Sequence, residues 1–288
     1  MGVLHTSTNF RNNLILTTIL IIKNVLGSFM AKKLQIIFKF DLDGTLIKDY
    51  HPTLILKHYH LDPKQFWEDI AQQEKHNRFG INTILYLTRL IDEINYGRLQ
   101  GLTLEKMREL GKGIDQMFFP GLPGFFEQIK KEFPQCEFRF HLISSGIKPL
   151  IEGSVLKKYF DEICAYDLAT SKYQPDKIIG PSTTVSAGEK ENIMIALSYG
   201  YNKQHGVYEF PLKNTIIVGD GLTDRAMFKV GKRYGASCFG VISQEEARSK
   251  ATSGLGDLVE SIHLADFREG SALRKAFAAA IKTRLDSA

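Results

Sequence analysis

The chain of 288 residues is short of most features that would assign a class at once. It has only three cysteines, Cys136, Cys164 and Cys238, an odd number without ligand spacing. That excludes a disulfide framework or a cysteine-built zinc site and points to a reducing compartment. The most apolar stretch, Leu14 to Ile22, is nine residues long, too short to span a bilayer, so no stable membrane insertion is expected. No dense run of Lys and Arg interleaved with aromatics is present. The net charge of +5 is only mildly basic, which suits a small anionic substrate and not a nucleic acid. No repeat or low-complexity segment stands out. What is there is an ordinary globular composition, 43% hydrophobic and 24% charged, in a chain long enough for one core domain and an inserted one.

The N-terminus admits several readings. Leu14 to Ile22 follows Arg11 as a signal-peptide core would, but its exit, Gly27-Ser28-Phe29-Met30-Ala31, is a poor cleavage site. Met30-Ala31-Lys32-Lys33-Leu34 reads as a cytosolic start just ahead of the first strand. Residues 1–29 are therefore expected to be a non-essential extension or a start placed too early, in a cytoplasmic protein. Export, or an added helix on the core, are the alternatives.

The most informative segment is Asp41-Leu42-Asp43-Gly44-Thr45-Leu46. It follows Leu34 to Phe40, an apolar run broken only by Gln35 and Lys39, which reads as a strand buried in a sheet. Side chains two apart on an extended chain point the same way, so both carboxylates face one pocket. Such a pair is costly to bury unless a cation or a proton-transfer task keeps it there. Gly44 allows a sharp turn and close approach to a ligand.

This string resembles the first motif of the haloacid dehalogenase superfamily, whose pattern then requires three more elements in order. The first is a Ser or Thr at the end of a second apolar strand. Phe138 to Ile143 runs into Ser144-Ser145-Gly146, where a hydroxyl and backbone N–H groups could hold phosphate oxygens. Ser144 matches the family position, and Ser145 is the alternative. The next is a Lys near a helix start. Ser186 and Glu189 have capping-box spacing, which places Lys190 in a first helical turn, with Lys177 in a polar loop as its competitor. The last is Gly219-Asp220-Gly221-Leu222-Thr223-Asp224 after the strand Thr215 to Val218. Asp220 and Asp224 are close enough to share a cation, and oxygen-only ligands suit Mg²⁺.

Between the first two motifs, residues 47–118 carry little strand signal. Asp62-Pro63 marks a helix start, and residues 82–94 place apolar side chains at helical spacing. This is the position of a type-1 cap, as in the phosphoserine-phosphatase-like branch. The expected domains are an N-terminal extension at 1–29, a core at 30–46 and 119–288, and a helical cap at 47–118. The fold class is α/β, a Rossmann-like parallel sheet with an inserted, mostly helical cap. Expected core strands are 34–40, 137–143, 161–166, 215–218 and 236–242. Helices are expected at 123–132, 147–158, 188–199 and 223–230, with another after Ser243 and a last one from Ala272 to Leu285.

The resemblance implies a phosphatase acting on a small phosphorylated metabolite. Asp41 would be the nucleophile and Asp43 the general acid and base. Lys190 would neutralise charge, and Ser144, with Ser145 and Gly146, would bind the phosphoryl group. Mg²⁺ would sit among Asp41, the Asp43 main-chain carbonyl, Asp220 and Asp224. The dehalogenases of the superfamily lack the second aspartate, so Asp43 argues against that chemistry. A phosphotransferase or phosphomutase would use the same residues, and a non-catalytic phosphate-binding protein is the remoter alternative. Phosphoserine phosphatases carry a Glu nine residues after the nucleophile to engage the substrate's amino group, and here that position is Tyr50. Residues 49–60, with Phe66 and Trp67, are rich in His and aromatics, which either pack inside the cap or stack on a substrate ring. Oligomeric state is left open.

Overall fold

The protein is described from a computed structural model covering residues 33–76, 82–199 and 211–287. The apolar stretch Leu14 to Ile22 lies outside these residues. Seven strands form one sheet in the order β4-β3-β2-β1-β5-β6-β7. They are β1 (Leu34–Phe40), β2 (Cys136–Ile147), β3 (Glu162–Thr170), β4 (Ile178–Thr183), β5 (Thr215–Gly219), β6 (Ser237–Ile242) and β7 (Ser261–Leu264). The pairs β1–β5, β5–β6, β6–β7 and β2–β3 are parallel, and β3–β4 is an antiparallel hairpin. The α/β class with a mainly parallel sheet is as the motif order implies.

Among the described residues, segment 47–118 holds four α-helices: α1 (Thr53–His58), α2 (Pro63–His76), α3 (Asn82–Tyr96) and α4 (Leu104–Gly111). The chain leaves and re-enters the core along two adjacent segments. The Lys48 N–H donates to the Met117 carbonyl at 2.9 Å, and the Phe119 N–H to the Leu46 carbonyl at 3.1 Å. The core helices are α5 (Phe125–Glu132), α6 (Lys148–Gly153), α7 (Glu189–Tyr199), α8 (Arg225–Arg233), α9 (Arg248–Leu255) and α10 (Ala272–Asp286). The insert is anchored on α6. Arg108 Nε reaches Glu152 at 3.4 Å, and Asp115 Oδ1 accepts from Ser154 Oγ at 2.5 Å and the Val155 N–H at 3.0 Å.

The alternation along β1 sorts two faces. Phe38 and Phe40 join Phe125, Phe126, Phe140, Phe267 and Phe277 in a buried aromatic layer, with edge contacts such as Phe38–Phe277 at 5.2 Å between centroids. Truncating one of these rings would cost ~3–5 kcal/mol. Lys39 and Asp41 point the other way, toward α7.

Four elements depart from expectation. Residues 144–147 stay within β2 through an irregularity between Ile143 and Ile147, so the expected helix at 147–158 shortens to α6 and a 3₁₀ turn at Val155–Lys158. The Gly153-Ser154 break stops it, with the Ser154 hydroxyl accepting from the Leu156 N–H at 3.1 Å. β3 extends to Thr170 because β4 pairs with it. The helix expected from Thr223 begins as a 3₁₀ turn at Leu222–Asp224 before α8. Finally, β7 was not expected: its four residues, SIHL, carry too little apolar signal, and pairing with β6 makes it a strand.

Candidate active site

The sheet itself assembles the site. β1 and β5 are adjacent and in register from Ile37 opposite Thr215 to Phe40 opposite Val218. The ladder continues one step further, with the Asp41 N–H donating to the Val218 carbonyl at 3.0 Å. Asp41 and the Gly219-Asp220 turn therefore leave the sheet side by side, at the carboxyl ends where ligands bind in open α/β folds. Gly44 completes this approach. Its φ is +75°, and a Cβ there would fall 2.2 Å from Asp220 Oδ2, so no other residue fits without displacing that carboxylate.

Helix α7 lies along β1 and contributes side chains one turn apart. Lys39 Nζ, fully buried, donates to the Met194 carbonyl at 3.1 Å and to Ser198 Oγ at 3.4 Å. Burial lowers its pKa from 10.5 to about 7. One turn toward the helix start, Lys190 Nζ donates to Asp41 Oδ1 at 2.6 Å and to Asp224 Oδ1 at 2.8 Å. Burial opposes the charge on Lys190, but Asp224 and Asp41 hold its pKa above the ordinary lysine value. The helix start is as the capping pattern predicts, with the Ser186 N–H donating to the Glu189 carboxylate at 2.5 Å.

Asp224 braces this centre from below. Its Oδ1 accepts from Lys190 and its Oδ2 from the N–H groups of Asp220 and Gly221, at 3.1 and 3.2 Å. The Asp220 carboxylate accepts no hydrogen bond from any described residue. Asp41, Asp220 and Asp224 each bring one carboxylate oxygen within 4.8 Å of the others. Burial first, and then the neighbouring carboxylates, push Asp41 and Asp220 above the ordinary aspartate range; Lys190 offsets only part of this. An all-oxygen cluster with an uncompensated carboxylate fits a hard divalent cation such as Mg²⁺.

The expected residues Asp41, Asp43, Gly44, Tyr50, Ser144, Ser145, Gly146, Lys190 and Asp220 line one cavity of about 650 Å³. Asp224 is buried behind its wall. The two serines separate by partner. Ser145 Oγ donates to the Val185 carbonyl at 2.7 Å, and the Ser145 carbonyl accepts from Tyr86 Oη at 2.9 Å. Ser144 Oγ accepts from the Gly146 N–H at 3.0 Å and keeps its own proton for a ligand. Lys177 is exposed in the loop before β4 and lines no part of this cavity.

Asp43 is held by a residue the motif pattern does not single out. His51 is fully buried, and its Nδ1 lies 2.8 Å from Asp43 Oδ1 and 3.0 Å from Oδ2. The Asp43 carboxylate is thus outside the three-carboxylate cluster. Tyr50, 59% exposed, leans on Trp67 with ring centroids 5.5 Å apart, and Trp67 in turn meets Tyr86 at 5.4 Å. These rings, with Lys48 and Lys250, form the outer cavity wall. Tyr86 and Lys250 carry no motif signal.

Residues 38–229 match the sequence pattern of the haloacid dehalogenase-like hydrolases, and the chain belongs to that family. An uncharacterized protein of Borreliella burgdorferi is 25% identical over 224 residues, 66% of this chain and 76% of that protein. Among solved structures, a substrate-bound phosphoserine phosphatase superposes with a TM-score of 0.55 at 17% identity, over 86% of this chain and 99% of that one. A HAD family hydrolase from Salmonella enterica serovar Typhi gives a TM-score of 0.52 at 19% identity, over 74% of this chain; the match spans 64% of that hydrolase's length. Cytosolic 5′-nucleotidase IIIB bound to cytidine gives 0.54 at 10% identity, over 88% and 86% of the two chains. These structures share the fold, an α/β arrangement with a Rossmann-like core. Among the described residues, no helix is long and apolar enough to cross a membrane.

Proposed function

We propose that the protein is a Mg²⁺-dependent phosphatase that hydrolyses a small phosphorylated metabolite through an aspartyl-phosphate. The observation that carries this reading is the Asp41–Lys190 pair, braced from behind by Asp224, beside Asp43 in one cavity. It sets an oriented carboxylate nucleophile next to a separate carboxylate able to exchange a proton. Asp41 attacks phosphorus as the bond to the leaving oxygen breaks, and Asp43 gives its proton to that oxygen. Asp43 then takes a proton from the water that cleaves the aspartyl-phosphate. Lys190 keeps Asp41 oriented and adds positive charge where phosphoryl oxygens arrive. Ser144 donates its hydroxyl proton to one of those oxygens. Asp41, Asp220, Asp224 and the Asp43 main-chain carbonyl would hold the cation. When bound, it would neutralise the approach of two anions.

The helical segment 47–118 serves as a cap that selects the leaving group. Tyr50 and Trp67 are cap side chains on the cavity wall, and Tyr50 offers no carboxylate to an amino group. Free phosphoserine is therefore a poor fit.

The test is a panel of phosphorylated metabolites assayed for phosphate release with and without Mg²⁺, with Asp41→Asn as the blank. Turnover should require the cation and fall on the order of 10³-fold or more in the variant. Activity retained in Asp41→Asn would overturn the nucleophile, and phosphoryl transfer to an added acceptor in preference to water would replace hydrolysis with a transferase reaction.

A further inference from the structure

We infer that His51 is the positioning residue for the proton-transferring Asp43, and that it locks this carboxylate to the phosphate-binding end of β2. The inference rests on the phosphatase reading above and concerns a residue outside the motifs that define it.

The hydrogen bonds determine the state of the imidazole without reference to any titration. The Ile147 N–H donates to His51 Nε2 at 2.8 Å. A ring nitrogen that accepts carries no proton, so the ring proton sits on Nδ1. Nδ1 faces Asp43, 2.8 Å from Oδ1 and 3.0 Å from Oδ2, and must donate to it. The alternative, a protonated Asp43 donating to Nδ1, would leave the ring with no proton on either nitrogen. The His51 main-chain N–H adds a second donor to Oδ1 at 3.0 Å. Oδ1 is thus doubly held, and Oδ2 keeps the free capacity to exchange a proton with a leaving oxygen.

Packing holds the ring where these bonds need it. His51 has no exposed surface and does not line the cavity, so it is not a substrate contact in this structure. It abuts Gly146, where a Cβ would sit 1.8 Å from Cε1 and 2.4 Å from Nε2. Gly146 belongs to the segment that also presents Ser144, whose Oγ accepts from the Gly146 N–H. One imidazole therefore spans two groups of the reaction. On one side it fixes Asp43, in the loop after β1. On the other it is fixed by the backbone that receives the phosphoryl group. A buried histidine that merely filled space would leave the Asp43 carboxylate with the His51 main-chain N–H as its one donor among the described residues, free to turn about χ2. Proton transfer is sensitive to misplacement on this scale.

The experiment reads leaving-group dependence. Substituted phenyl phosphates are compared from 2,4-dinitrophenyl, which departs without a proton, to unsubstituted phenyl, which needs one. The quantity is kcat/KM with Mg²⁺ present, since it reports the first phosphoryl transfer whichever later step is slow. In His51→Ala the loss should be about 30-fold or more for phenyl phosphate and under about threefold for the dinitrophenyl ester, approaching the profile of Asp43→Asn. His51→Asn keeps an N–H near the Nδ1 position and should recover most of the phenyl phosphate rate. If the alanine variant does not fold, His51→Phe, which keeps ring volume without a donor, carries the same comparison. An equal loss across the series would make His51 a structural residue and overturn the inference alone. A dependence as steep in His51→Asn as in the donor-less variant would also overturn it. A wild-type protein inactive on the whole series overturns the phosphatase reading, and this inference with it.

Discussion

Replacing Lys190 with methionine should destabilise the fold in a pH-dependent way. The two acceptors of Lys190 lie 2.6 and 2.8 Å from one Nζ, so Asp41 Oδ1 and Asp224 Oδ1 are no more than about 5.4 Å apart. Without the ammonium, two buried carboxylates at that distance repel by ~3 kcal/mol at an effective dielectric near 20. Breaking a buried ion pair from one side costs ~3–5 kcal/mol in general, the same scale. Met fills similar volume, so little of the loss should come from a cavity. The sign with pH follows from where the protons sit. Asp41 is already raised from 3.8 toward about 7 by burial, with Asp224 adding to it and Lys190 opposing. Removing Lys190 raises it further, so the folded variant binds more protons than the unfolded chain from about pH 4 to above pH 7. Stability therefore falls as pH rises through that window and is regained on acidification. Urea melts in EDTA should show Lys190→Met less stable by roughly 3–5 kcal/mol near pH 7.5 and by less than half of that near pH 5. Mg²⁺ should restore part of the loss at the higher pH. A deficit under about 1 kcal/mol, or one equal at both pH values, would refute the electrostatic account and leave Lys190 an ordinary packed side chain.

Four further perturbations probe the same centre and its cavity wall. Mg²⁺ should raise the melting temperature of the wild type more near pH 7.5 than near pH 5, because the raised Asp41 and Asp220 carboxyls hold protons at the lower pH. By calorimetry, Asp220→Ala should weaken Mg²⁺ binding more than Ser144→Ala, and the reverse order would exchange their assigned roles. Gly44→Ala should cost ~1–2 kcal/mol from its left-handed backbone, and it should weaken Mg²⁺ binding because the new Cβ meets Asp220 Oδ2 at 2.2 Å; unchanged affinity would show that this carboxylate is not a ligand. Substitution of Tyr50 or Trp67 by alanine should change preference among phosphorylated metabolites by ~1–3 kcal/mol while leaving p-nitrophenyl phosphate hydrolysis nearly unaffected. Equal loss on every substrate would assign these rings to cap packing.

The cluster of candidate site residues was more legible than its supports. Asp41, Asp43, Ser144, Lys190, Asp220 and Asp224 could be read because each sits at a place local pattern defines: a strand end, a capping box or a Gly-Asp-Gly turn. The structure collects all six at one end of the sheet. His51 and Lys39 could not be read in this way. What makes each matter is a partner about a hundred or more positions away, Ile147 for His51 and Met194 for Lys39. Nothing in the neighbouring residues marks such contacts. By local rules Lys39 is an interruption in an apolar strand and His51 one more ring in an aromatic-rich segment. The missed strand β7 has the same origin, since four residues of mixed polarity become a strand only when β6 supplies the ladder. Where the expected strand ends at Ile143, the structure keeps Ser144-Ser145-Gly146 in β2 because β3 pairs on past the irregularity, from Cys164 to Tyr166.

Lys39 shows how such a support bears on the chemistry. It stands two residues before Asp41, the proposed nucleophile, and its amino group engages Met194 and Ser198, one and two turns beyond Lys190 on α7. An apolar residue there would hold the helix by packing, which tolerates sliding. A hydrogen-bonded amino group specifies which turn of α7 faces which residue of β1, and so which residue of α7 meets Asp41. The cost of that specificity follows from the depressed pKa of Lys39. Between about 7 and 10.5 the unfolded chain binds the proton that the folded chain lacks, so wild-type stability rises with pH through this window. Lys39→Met removes the penalty, on the order of 3–5 kcal/mol, and should be more stable than wild type near pH 7, with the advantage fading toward pH 10. If Lys39 fixes the register, the same variant should gain stability and lose turnover together, because Lys190 is no longer held opposite Asp41 to within one turn. A variant that gains stability and keeps full activity would show that packing alone places α7, and that the buried Lys39 amino group is dispensable to the site.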